Sequence, residues 1–164
     1  HFEQVSQRAP RLIEAHQLFL QASCAKWGGS DQDMMAHASA AARAPDGHPL
    51  HALPLFAIKE RALLRILAGD KPGAAAIWNA PDAIQAAEAA AQRYIRSPAR
   101  KASRYDPKHA GMVALACARA GRDADAAAAF GVCANWVSES VWGDGENGKN
   151  HFARIRRECH VAAR

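Results

Sequence analysis

Apolar residues recur along this chain at helical spacing, and no segment sustains the alternation of a half-buried strand. Leu12, His16, Phe19, Leu20 and Ser23 share one stripe, which predicts a first helix from about Pro10 to Lys26. Pro10 suits a first turn, where its missing N–H is not needed. Trp27, Gly28 and Gly29 end that helix, with Trp27 packed over the turn. Ser30-Asp31-Gln32-Asp33 has the form of a capping box, with Asp33 in the place normally held by Glu or Gln. It opens a second helix through Met34, Met35, Ala38 and Ala42 to about Ala44, before the Pro45-Asp46-Gly47 turn. A third helix occupies roughly Leu50 to Ala68 and begins or kinks at Leu53, because Pro54 cannot sit in a helix interior. Its Leu53, Phe56, Ala57, Leu63, Leu64 and Leu67 make it the expected centre of the core.

Beyond Pro72 the pattern predicts a short helix over Gly73 to Trp78 and another from Pro81 to about Arg96. Ser97-Pro98 stops it, and the aperiodic stretch to Pro107 reads as a loop. Two helices, His109 to Ala120 and Asp123 to about Val137, flank Gly121. A glycine-rich loop from Gly143 to Asn150 then precedes a last helix ending at Ala162. Short breaks make neighbouring helices antiparallel, so the expected fold is all-α, with about seven or eight helices in stacked antiparallel hairpins or an irregular bundle. Residues 1–164 read as a single helical domain, left open as the C-terminal part of a longer protein.

Composition changes this picture little. The chain is 49% hydrophobic and 23% charged, which is ordinary for a globular domain. Much of the apolar share is alanine, which favours helix but buries little area, so the larger core residues must be well placed. No apolar run approaches the roughly 18 residues needed to span a bilayer. The stretch Leu50 to Leu67 is broken by Lys59, Glu60, Arg61 and Arg65. No signal peptide is visible at the start, His1-Phe2-Glu3-Gln4, and its lack of Met fits a processed chain with an upstream segment missing. Cys24, Cys117, Cys133 and Cys159 form no C-x-x-C pair and read as buried free thiols of a cytoplasmic protein. A disulfide between Cys117 and Cys133, on consecutive helices, stays open.

Charge does change the picture. Between Arg93 and Lys108 lie Arg93, Arg96, Arg100, Lys101, Arg104 and Lys108, opposed only by Asp106, so this segment's surplus equals the net charge of +5 of the whole chain. A second basic cluster comprises Lys149, Arg154, Arg156 and Arg157. Trp142, bordering the glycine-rich loop, is the aromatic expected at the surface, where Arg154 and Arg157 would make it an interface anchor. Arg93, Arg96, Arg100, Lys101, Arg104, Trp142, Arg154 and Arg157 are therefore the candidate partner-binding residues, and the implied partner is a protein with an acidic surface. Tyr94 and Tyr105 among the basic residues also permit nucleic-acid binding, but no recognition-helix motif accompanies them.

Candidate chemistry is sparse. His48 and His51 are three apart and could share a metal, yet Pro49 sets His48 at or before a helix start, and there is no H-E-x-x-H. Gly28-Gly29-Ser30 could hold an anion at a helix start, but a glycine stop and serine cap account for it, and Asp31 and Asp33 would repel a phosphate. The run Asp144-Gly145-Glu146-Asn147-Gly148 lacks the ligand spacing of a calcium loop. No nucleophile elbow, P-loop or dinucleotide fingerprint occurs, so no catalytic residue and no cofactor is implied.

Two resemblances follow from these residues. Ala114, Gly121, Ala126 and Phe130 fall at tetratricopeptide spacing, with Ala110 where that repeat usually has Trp, so the helix pair around Gly121 is similar to one tetratricopeptide repeat. The turn Trp27-Gly28-Gly29-Ser30 leading to Met34, and the run Pro49-Leu50-His51-Ala52-Leu53 leading to Glu60, resemble an uncharacterised bacterial family, domain of unknown function 4034. That resemblance covers about residues 10 to 70 and implies ancestry without an activity. The expected function is a non-enzymatic protein–protein interaction module, such as an immunity or adaptor protein. The alternatives are a small metal-dependent or Cys/His enzyme using His48, His51, Glu60 or Cys159, and a nucleic-acid binder acting through residues 93–108.

Overall fold

Caps and glycines explain where the helices of the computed structural model begin and end. It describes residues 2–163; His1 and Arg164 lie outside them. The described residues form ten α-helices and no strand: α1 (Phe2–Arg8), α2 (Ile13–Ala22), α3 (Asp31–Ala41), α4 (Leu53–Leu67), α5 (Lys71–Asn79), α6 (Pro81–Ala90), α7 (Asp106–Arg119), α8 (Asp123–Cys133), α9 (Glu139–Trp142) and α10 (Gly145–Ala162). The all-α class is as expected, with more helices than the pattern resolved. Ser30 caps α3 as its box predicts: its hydroxyl accepts the Asp33 N–H at 3.0 Å and donates to Asp33 Oδ2 at 2.7 Å.

Several boundaries differ. Pro10 precedes α2 instead of starting it, and α1 was not anticipated. The chain leaves α2 at Ala22 and makes a separate 3-10 turn over Ala25–Trp27. Trp27 does not fold over that turn; it is 71% exposed. Another 3-10 turn, Pro49–Ala52, leads into α4, so Pro54 falls in the first turn, where it costs no hydrogen bond. The loop expected from Gly143 to Asn150 is mostly helix, because α10 already starts at Gly145.

α4 and α7 organise the core. On α4, Leu55, Ile58 and Ala62 face the larger apolar cluster, which gathers α5 to α10, while Leu53 and Ala57 face a smaller one with α2 and α3. α4 thus joins the two, but its C-terminal end is peripheral and Leu67 is 73% exposed. The helix enclosed on all sides is α7, buried without a break from His109 to Cys117. Alanines make this enclosure possible: Ala83, Ala87 and Ala90 of α6, Ala110 and Ala114 of α7, and Ala126 and Ala129 of α8 are all buried, letting the three helices approach closely. α7 and α8 turn back on each other at Gly121, whose φ of 66° suits the left-handed position. The Arg122 N–H reaches Cys117 O at 2.9 Å and the Gly121 N–H reaches Ala118 O at 3.2 Å, which closes the end of α7 in a Schellman motif.

Trp142 is buried, contrary to expectation. Its indole stacks on Phe130 at 5.7 Å and meets Phe152 edge-on at 5.2 Å. A Cβ on Gly111 of α7 would stand 3.2 Å from Trp142 Nε1, so this glycine makes room for the indole. The Gly111→Val variant is expected to lose about 1–3 kcal/mol by overpacking, read as a shift of the urea midpoint. An unshifted midpoint would show that the indole has room to move. The tryptophans that do reach the surface are Trp27 and Trp136, the latter 70% exposed.

Candidate functional site

The basic segment is built from one wide turn and one loop. α6 ends in a π turn, Ala91–Ile95, closed by the Arg96 N–H on Ala91 O at 2.9 Å. The extra residue sends Tyr94 into the core and turns Arg93 and Arg96 outward. Each arginine then meets an acid from elsewhere in the chain. Arg93 Nε donates to Asp46 Oδ1 at 2.8 Å, and Arg96 Nε to Asp125 Oδ1 at 2.7 Å. Arg100 Nη1 donates to Asp106 Oδ2 at 2.9 Å, and Arg104 Nη2 to Glu14 Oε1 at 2.7 Å. Glu14 also accepts the Tyr105 hydroxyl, which holds its carboxyl below the usual range. Gly47 sits so close to this loop that a Cβ would lie 2.5 Å from Arg100 N.

These four arginines are candidate partner-binding residues by sequence, and each is ion-paired within the chain. They fasten residues 93–104 to the turn after α3, to α8, to α7 and to α2. Lys108 is also engaged, on Gln17 Oε1 at 3.3 Å and over the Phe56 ring. Only Lys101 of the segment stands exposed with no hydrogen bond or ion pair among the described residues. In the second cluster Arg154 pairs with Glu158, while Arg157 is exposed. Trp142 cannot anchor an interface from its buried position.

The candidate catalytic and metal groups do not converge. His48 Nδ1 accepts the Leu50 N–H at 3.2 Å, and His51 Nε2 donates to Pro45 O at 3.1 Å. Burial lowers the pKa of both. No group of three or more His, Cys, Asp or Glu side chains able to share a metal occurs among the described residues. Glu60 is held by Lys26 at 2.7 Å and by Gln21 at 3.0 Å. All four cysteines are free and buried, so Cys117 and Cys133 form no disulfide. Burial pushes the thiols of Cys117, Cys133 and Cys159 up to about 12, 11 and 11, which keeps them protonated and poorly nucleophilic near neutral pH. Cys159 and His151 line one cleft, but eight residues along the same helix separate them by about 12 Å.

Two adjoining clefts carry what remains. The first, about 360 Å³, lies between the start of α2, the turn after α3 and the loop before α7. Its acids, Glu14 and Asp46, already have arginine partners. Its cations, Arg11 and Lys101, have none among the described residues. The second, about 510 Å³, lies between α1, α2 and α3 and shares Arg11 and Pro45 with the first. Arg43, exposed and likewise without an ion pair among the described residues, lines it. Arg11 and Arg43 stand apart in sequence from every basic run, so nothing in the order of charges marks them.

No protein-family model, no curated protein and no solved structure matches the chain.

Proposed function

We propose that the protein is a non-enzymatic interaction module that recognises an acidic segment of a protein partner, as an adaptor or an immunity protein would. The supporting observation is the convergence of Arg11, Arg43 and Lys101, none ion-paired among the described residues, on two clefts that share a border. Paired arginines elsewhere are neutralised by their own acids, whereas these three leave a positive potential for an incoming carboxylate. Such a face steers association and sets specificity more than it adds contact energy. The docking surface thus moves from the arginines of the 93–104 stretch to Lys101 and two residues outside it.

The test is fluorescence anisotropy of a labelled Glu/Asp-rich peptide at low salt. Arg11→Glu and Lys101→Glu should each weaken binding by about tenfold or more, as expected for reversing a charge at a contact. Lys71→Glu, an exposed cation on α5, should leave it unchanged. Equal losses in all three variants would mean that only net charge matters. Tighter binding of a DNA duplex than of the peptide would replace this reading with the nucleic-acid one.

A further inference from the structure

We propose that the cleft between α1, α2 and α3 binds a small planar acid carrying an O–H or N–H donor. Phe2, His16 and His37 put three rings in its lining, beside Ala40, Ala41 and Leu50. The imidazoles of His16 and His37 lie 5.2 Å apart and 24° from parallel. Phe2 stands edge-on to His16 and His37 at 5.4 and 5.1 Å and is backed by Phe19, which lies outside the lining, at 4.2 Å. Flat, partly apolar walls of this kind favour a planar ring, and about 510 Å³ is room for one on the scale of small-molecule sites.

The polar groups define the ligand further. His16 is 8% exposed, and its Nε2–H donates to Pro10 O at 3.0 Å. Its Nδ1 is then an acceptor, and that atom is buried without a partner. Ser6 Oγ, from α1, is also buried and unpartnered, and both residues line the cleft. His37 Nε2–H donates to His16 O at 3.3 Å, which leaves its Nδ1 as a further acceptor. Buried acceptors without partners are unmet hydrogen bonds that an entering hydroxyl or N–H would satisfy. Arg11 and Arg43, also lining the cleft, supply the charge for a carboxylate, and guanidinium groups suit that shape. α1 contributes no buried residue, so it is the wall that can give as the ligand enters.

The test is an NMR titration of the ¹⁵N-labelled protein with the three hydroxybenzoate isomers, benzoate and phenol. At least one hydroxybenzoate should bind about fivefold or more tighter than benzoate and than phenol, the scale of one hydrogen bond. The shifted amides should include those of Arg11, His16, His37 and Arg43. His16→Phe should bring the hydroxybenzoate down to the affinity of benzoate while leaving benzoate itself unchanged. Arg43→Gln, at an exposed position, keeps the fold and should weaken both acids but not phenol. Equal affinities for all five probes, shifts confined to other faces, indifference to Arg43→Gln, or no binding on the order of 10 mM would overturn the proposal. Lys101→Glu separates this site from the peptide-binding face, because Lys101 does not line the cleft and hydroxybenzoate affinity should survive its reversal.

Discussion

Asp106→Ala should destabilise the fold by about 3–5 kcal/mol, the loss expected when one partner of a buried charged network is removed. The carboxylate is 6% exposed at the first residue of α7. It accepts the Tyr94 hydroxyl at 2.6 Å, Arg100 Nη1 at 2.9 Å and the Ser103 N–H at 3.1 Å. Alanine leaves a buried phenol, a half-buried guanidinium and a backbone N–H without their acceptor. Against a total stability of about 5–15 kcal/mol this is a large fraction. Tyr94→Phe removes only one neutral donor and should cost about 1–1.5 kcal/mol. In the Asp106→Ala background it should cost much less, because its acceptor is already gone. Urea unfolding of the two variants and the double variant measures all three quantities. A loss under about 1 kcal/mol for Asp106→Ala would mean that the network behaves as a surface pair.

Mild acid should destabilise the protein through His109. This side chain is fully buried. Its Nδ1–H donates to Tyr105 O at 3.0 Å, and its Nε2 accepts from Gln17 Nε2 at 2.9 Å. Burial, first, then the nearby Lys108 lower its pKa from 6.5 to about 4 against the opposing bond to Tyr105. The folded state therefore resists a proton that the unfolded chain accepts. The stability this represents is complete above pH 6.5 and is lost as pH falls toward 4, amounting to about 2 kcal/mol by pH 5 and about 3 kcal/mol by pH 4. Burial acts with the same sign on His37, His48, His51 and His151. His109→Gln cannot titrate, so between pH 7 and pH 5 the wild type should lose about 2 kcal/mol more than this variant. Parallel pH profiles would show that the folded chain binds this proton as readily as the unfolded one.

The pairing of the basic stretch and the burial of Trp142 escape the sequence for one reason. The basic stretch looked free because Asp106 is its only acid in sequence, yet Asp46, Asp125 and Glu14 reach it from 47, 29 and 90 residues away. Trp142 looked exposed because it borders glycines. Those glycines instead let the chain turn sharply into α10, whose Phe152 closes over the indole. In both cases a local surrounding was read as the final one. The clefts were invisible for a related reason: Ser6, Arg11, His37 and Arg43 belong to no spacing motif, His16 sits on the apolar stripe of the first predicted helix, and they meet only when α1, α2 and α3 pack.

The helical class, the helix starts at Asp31, Leu53, Pro81 and Asp123, and the two turns at Ser30 and Gly121 are legible in the sequence. These depend on 3.6-residue periodicity, on a side chain reaching an N–H three residues away, and on glycine's freedom at positive φ, all of which act within a few residues. Packing settles which charges are neutralised, which tryptophans are buried and which histidine nitrogen is left without a hydrogen-bond partner. Charge pairing and burial depend on distance through space, and the helices bring together residues that the chain keeps far apart.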